Sequence, residues 1–173
     1  TPLVRIAEDH LRILRFFRFH ARFGRGAPDA AGLDAVTARA NDLMALSRER
    51  IWDELIRLLS LPDPTPTVAI MIDRAILAPV LPEVTVAGVA ALARLVRREG
   101  EAGVAPHPLR RLAALLAGVA AGVGDDVARR LKLSNADRAR LAAATGGEDG
   151  APDMLAYRIG DAAAVDRLLL GDG

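Results

Sequence analysis

The stretch RIAEDHLRILRFFRFHARF, residues 5–23, decides the fold. At about 100° per residue, Leu3, Ile6, Ala7, His10, Leu11, Ile13, Leu14 and Phe17 share one arc. Arg5, Glu8, Asp9, Arg12, Arg15, Arg18 and Arg22 occupy the other, with Phe16, Phe19 and Phe23 among them. That pattern is an amphipathic helix with one side for packing and one for charge beside aromatics. Thr1 can cap it, Pro2 fits its first turn, and Gly24 ends it.

Working outward, similar patterns predict helices over 31–45, 47–59, 68–77, 86–98, 109–121, 126–131, 135–144, 153–159 and 162–170. Ser47, Ser134 and Asp161 read as caps, and Asp125-Asp126 as another. Leu61-Pro62-Asp63-Pro64-Thr65-Pro66 is a break, because proline lacks an amide donor and restricts its predecessor. Pro79 and Pro82 separate two helices, while residues 100–108 and 146–150 are loops. Sustained period-two alternation is absent. The expected fold is all-α, an irregular bundle or array of about ten short helices. Residues 1–61 and 62–173 are its expected subdivisions.

With 173 residues, half of them hydrophobic, the chain can bury a sizeable core. Net charge is only +1, so affinity for a polyanion must come from local clustering. The lack of cysteine removes disulfides and thiolate metal sites and favours a cytoplasmic setting. The longest uncharged apolar run, Leu112 to Gly124, is short of the roughly 18–20 residues that span a bilayer. No membrane association or signal peptide is expected. The opening at Thr1 and the stop soon after Leu170 suggest a piece of a longer protein.

Asp9 and Arg12 offer an acceptor beside a donor. Adenine and cytosine present the complementary pair on their Watson–Crick edges, whereas guanine and uracil present the reverse. A wrong base would leave polar groups unpaired, at about 1–3 kcal/mol each. The plainer alternative is a set of i,i+4 ion pairs, Glu8–Arg12 and Arg5–Asp9. Arg15, Arg18 and Arg22 form a basic ridge suited to triphosphate or RNA backbone, or simply a solvated face. Glu49, Arg50, Asp53 and Glu54 form a second charged cluster, and Arg50 could reach Glu8 from the neighbouring helix. Trp52 is expected in packing, and His10 as a core histidine. His10, His20 and His107 do not form a metal set, and Ser134 has no activating partner. No catalytic residue and no metal ligand is assigned.

Residues 8–24, Glu-Asp-x-x-Arg-x-Leu-Arg-x-x-Arg-Phe-x-x-x-Phe-Gly, resemble the neck motif of class II tRNA nucleotidyltransferases, the CCA-adding enzymes and bacterial poly(A) polymerases. Glu49-Arg50-Ile51-x-x-Glu54-Leu55 resembles their next motif. Val80-Leu81-Pro82-Glu83, Arg111 to Leu116, and Leu131 to Asn135 look like their later segments. The resemblance implies neck helices over 1–61 and body helices over 62–173, with the tail cut short. It implies that Asp9 and Arg12 template incoming ATP and CTP, with Glu8, Glu49 and Arg50 supporting the neck. The partner would be tRNA or another RNA 3′ end. The family's head, with its Gly-Ser signature and paired aspartates for Mg²⁺, is not matched in this sequence. The chain alone is therefore expected to hold no cofactor and to be inactive, with Mg²⁺ belonging to the head. A-adding or poly(A)-adding activity are alternatives, as is a non-catalytic RNA-binding or protein-interaction module.

Overall fold

The computed structural model describes residues 9–146 and 160–171. They form α1 Leu11–Phe23, α2 Ala30–Ala38, a 3-10 segment Ala40–Ala45, α3 Arg48–Leu59, α4 Thr65–Asp73, α5 Val86–Ala102, α6 Pro108–Leu115, α7 Val123–Arg130, α8 Asn135–Thr145 and α9 Asp161–Leu170. No described residue lies in a strand, so the chain is the all-α array of short helices its patterning predicts. The predicted helix over 153–159 lies outside the described residues.

Central to the array is α6, which packs against α3, α5, α8 and α9. Every residue from Leu109 through Leu115 is buried. On the other side of the array α1 lies on α3 and α4 and contributes Leu11, Ile13, Leu14 and Phe17 to the core. Trp52 packs there too. One continuous core runs from Leu11 to Ala144, so helices on both sides of position 61 share it.

Several predicted boundaries move for identifiable reasons. Among the described residues the helix that ends at Phe23 begins at Leu11, and Asp9 and His10 form a turn before it. Asp9 Oδ1 accepts the Leu11 amide at 3.0 Å, and its carbonyl accepts the Arg12 amide at 3.0 Å. An aspartate there satisfies donors that a helix start leaves open. Residues 1–8, with the expected Thr1 cap and Glu8, lie outside the described residues.

The helix expected over 31–45 gives way at Arg39 to a 3-10 segment. Thr37 Oγ1 donates back to the Leu33 carbonyl at 2.7 Å, a bond that bends helices. Pro64 and Pro66 sit at the start of α4, where a missing amide costs nothing, and Asp63 accepts the Thr65 amide at 3.0 Å. Helix α5 continues past Arg98 until Gly103 turns left-handed at φ 65°. By contrast α6 stops at Leu115, and the glycines at 118 and 122 take positive φ. Gly122, not Asp125-Asp126, precedes α7, and Gly160 rather than Asp161 caps α9. Ser47 and Ser134 are caps as expected.

Gly88 of α5 sits tight against the end of α6. A Cβ there would lie 2.1 Å from the Leu115 carbonyl oxygen. Alanine normally stabilises a helix interior relative to glycine by about 0.5–1 kcal/mol. Here the sign reverses: Gly88→Ala is expected to cost about 1–3 kcal/mol by overpacking. Equal or higher stability in denaturant unfolding would refute this close approach.

A buried ionic network joins α5, α6, α8 and α9. Arg110 donates to Asp166 at 2.8 Å and to Glu99 at 2.9 Å. Arg140 grips both Asp166 oxygens, at 2.7 and 3.0 Å. Arg111 donates to Glu99 through Nε at 3.1 Å and Nη2 at 2.9 Å. It also donates to the carbonyls of Leu59 at 2.8 Å, Pro62 at 3.0 Å, and Leu61. Leu59 is the last residue of α3, and Leu61 and Pro62 follow it, so the cation sits at the helix C-terminus, where it suits both hydrogen bonding and dipole.

His107 sits at the edge of this network. Its Nδ1 caps α6 by accepting the Leu109 amide at 3.2 Å, and Arg140 Nη1 lies 3.0 Å from its Nε2. An added ring proton would therefore point at another donor. Burial, followed by the charge of Arg140, holds the ring below its ordinary pKa; Asp166 and Asp137 oppose this, and Arg110 reinforces it. The unfolded ring thus protonates first as pH falls. Stability is retained above about pH 6.5 and declines below it, levelling off beneath the folded pKa. The depressed carboxylates of Glu49, Glu83 and Asp125 act at lower pH. His107→Asn keeps a cap and should flatten the slope between pH 5 and 7 in urea titrations. An unchanged slope would remove His107 from this role.

Candidate nucleic-acid interface

The candidate site begins at the turn before α1. Asp9 is held from three sides: by the Leu11 amide, by Arg15 Nη1 at 3.5 Å, and by Arg50 Nη2 at 3.9 Å. Arg12 leaves the same turn one residue into α1. It is exposed, and no ion pair holds it among the described residues. The acceptor and the donor thus stand three positions apart across a hydrogen-bonded turn, the acceptor fixed and the donor free. Arg50 reaches Asp9 from α3; its expected contact with Glu8 lies outside the described residues.

Glu54 organises the charged side of α1. It is almost fully buried, and it accepts from Arg15 Nε at 3.2 Å and Arg18 Nε at 2.7 Å. Arg57 Nη1 stands 3.8 Å away. Glu54 lies four positions after Arg50 along α3. Its actual partners come mainly from the neighbouring helix. Of the ridge expected to meet phosphate, Arg15 and Arg18 are therefore engaged by a carboxylate, while Arg22 is exposed. The only sequence signal for this was a glutamate on the apolar side of α3, beside Ile51, Leu55 and Leu58.

Glu49 pairs with Lys132 at 3.5 Å, linking the start of α3 to the turn after α7. Its own amide, against slight burial and assisted by Lys132, lowers the Glu49 pKa. Glu83 joins Arg130 at 2.6 Å in a second tie to α7. His10 is half-buried, with Nδ1 3.6 Å from Asp42, which in turn meets Arg39 at 2.6 Å. It lies at the edge of the core rather than inside it.

Toward its C-terminus α1 exposes Phe19 and Phe23. Their rings stack with centroids 6.1 Å apart and planes 21° apart. Arg18 lies over Phe19 at 5.0 Å and Arg22 over Phe23 at 5.2 Å. Beside them, Arg18, Arg22, Arg57 and Leu61 line an open groove of about 340 Å³. Phe16 and Phe17 point inward and pack edge to face at 5.2 Å. A larger cavity of about 430 Å³ lies elsewhere, among α5, α6, α8 and α9. Its Arg98 is committed to the Leu169 and Gly171 carbonyls at the end of α9.

Among the described residues no cluster of three His, Asp or Glu could hold a metal ion. No described helix is long and apolar enough to cross a membrane.

Residues 29–87 match the family described as "Probable RNA and SrmB- binding site of polymerase A". The Multifunctional CCA protein of Pseudomonas aeruginosa (strain LESB58) is 39% identical over 82 residues, covering 45% of this chain and 20% of that protein. The mitochondrial CCA tRNA nucleotidyltransferase 1 of Mus musculus is 33% identical over 140 residues, covering 78% of this chain and 30% of that protein. The matched stretches thus span less than a third of either relative. The solved structure titled "The complex structure of CCA-adding enzyme with CTP" shares the fold, with a TM-score of 0.71 over 99% of this chain and 45% of that one, at 16% identity. Together these matches support a helical region of the CCA-adding enzyme and poly(A) polymerase family.

Proposed function

We propose that the chain is the nucleotide-selecting and RNA-handling part of a template-independent RNA 3′-end nucleotidyltransferase that adds CCA to tRNA from CTP and ATP. The observation that supports this reading is the turn before α1, where a carboxylate fixed by Leu11, Arg15 and Arg50 stands three positions before Arg12, which is exposed and in no ion pair among the described residues. Asp9 accepts from the exocyclic amino group of adenine or cytosine, and Arg12 donates to the adjacent ring nitrogen. Arg50 orients Asp9, and Glu49 anchors α3 to Lys132. Glu8 completes the support. Arg22 meets RNA phosphate, while Arg15 and Arg18, drawn to Glu54, place α1 and add positive potential. Phosphoryl transfer belongs to a separate Mg²⁺-binding head, so the chain alone turns over no nucleotide. The setting is cytoplasmic.

With the chain joined to such a head, Asp9→Ala should relax the preference for A and C over G and U by about 10–100-fold, the value of an unpaired buried polar group. Competition between the four nucleoside triphosphates on a tRNA lacking its 3′ end reads this directly. Unchanged selectivity in a folded variant overturns the assignment. Addition of A without C would reassign the product to the A-adding branch.

A further inference from the structure

We propose that Phe19 and Phe23 form a stacking platform for an unpaired RNA base, with Arg22 and Arg57 of the adjoining groove holding the flanking phosphates. This rests on the RNA-handling reading above and gives the RNA a second point of contact. The two rings are 52% and 67% exposed, unlike Phe17, which is fully buried on the same helix. They lie nearly parallel, and each carries a guanidinium from the preceding residue. That arrangement holds the rings in register and surrounds their apolar faces with positive charge.

The chemistry selects the occupant. The basic side chains at the platform are Arg18, Arg22 and Arg57. The carboxylate that meets Arg18 and Arg57 is Glu54, which is buried and shared with Arg15. An apolar protein surface would leave Arg22 without a counter-charge, and an acidic peptide would leave the rings in water. A single-stranded polynucleotide supplies both flat rings and phosphates. Phe23 lies eleven positions beyond Arg12, about 16 Å along the helix axis. A base on the platform is therefore a different nucleotide from one at Asp9 and Arg12, so the platform holds RNA while the turn selects the incoming base.

The test uses the 173-residue chain and oligo(A) carrying one 2-aminopurine. Binding should quench the probe by stacking. The double variant Phe19→Leu/Phe23→Leu should lose the quenching and weaken binding about tenfold without changing the salt slope. Phe23→Trp should retain both. Arg22→Gln should lower the slope by about one. Normal binding and quenching in the double variant overturn the platform and leave the RNA reading standing. Failure of the unmodified chain to bind oligo(A) or tRNA at low salt overturns both. Self-association abolished by the double variant makes the rings a protein contact and overturns the platform.

Discussion

Arg111→Met should lower the unfolding free energy by about 3–5 kcal/mol, moving the melting temperature down by roughly 6–20 °C for a chain of this size. The methionine fills most of the volume, so the loss is electrostatic rather than a cavity. Glu99, 2% exposed, would keep only Arg110 as a charged partner. The carbonyls of Leu59, Leu61 and Pro62 would lose the donor that reaches them across the core. Arg111→Lys should recover part of the stability, because an ammonium cannot serve Glu99 and three carbonyls in one plane. A change below about 1 kcal/mol, the scale of a surface ion pair, would show that Arg111 is not the clamp. The effect also reaches the candidate site. Arg111 fixes the end of α3, and α3 carries Arg50 and Glu54, the residues that hold Asp9 and α1.

Glu54→Gln should separate stability from polyanion affinity. Glutamine keeps the shape and one acceptor but removes the charge shared by Arg15, Arg18 and Arg57. Because Arg18 is mostly covered while Arg15 is partly solvated, the cost should be about 2 kcal/mol, below that of breaking a fully buried pair. The freed guanidiniums raise the positive potential of α1. Binding to single-stranded RNA should tighten at low salt and its salt slope should steepen by about one. Lower stability with weaker RNA binding would show instead that Glu54 acts only by placing α1.

The helical class and most helix cores were legible because apolar spacing is a local property. Ile13, Leu14 and Phe17 fall on the buried side that the period predicts. Boundaries moved where a side chain or glycine outweighed the period, as at Thr37, Gly118 and the Asp9 turn. The spacing of Asp9 and Arg12 was legible, but not that Asp9 would sit in the turn before α1 rather than on the helix face with Arg12. The engagement of Arg15 and Arg18 by Glu54 was not, since nothing in a single helix reveals which carboxylate the next helix inserts. Arg110 and Arg111 stand side by side in the apolar run LRRLAALL, which does not reveal what compensates them. Their partners, Glu99 and Asp166, lie 11–12 and 56 positions away.

Asp166 has a bearing on how far the protein can be shortened. It is fully buried at the far end of the sequence and neutralises Arg110 and Arg140 together. Trimming the chain before Asp161 would remove α9 and leave Arg140 without its carboxylate and Arg110 with Glu99 alone. A C-terminal cut should therefore spare α9, although most of the apolar core is complete by Ala144.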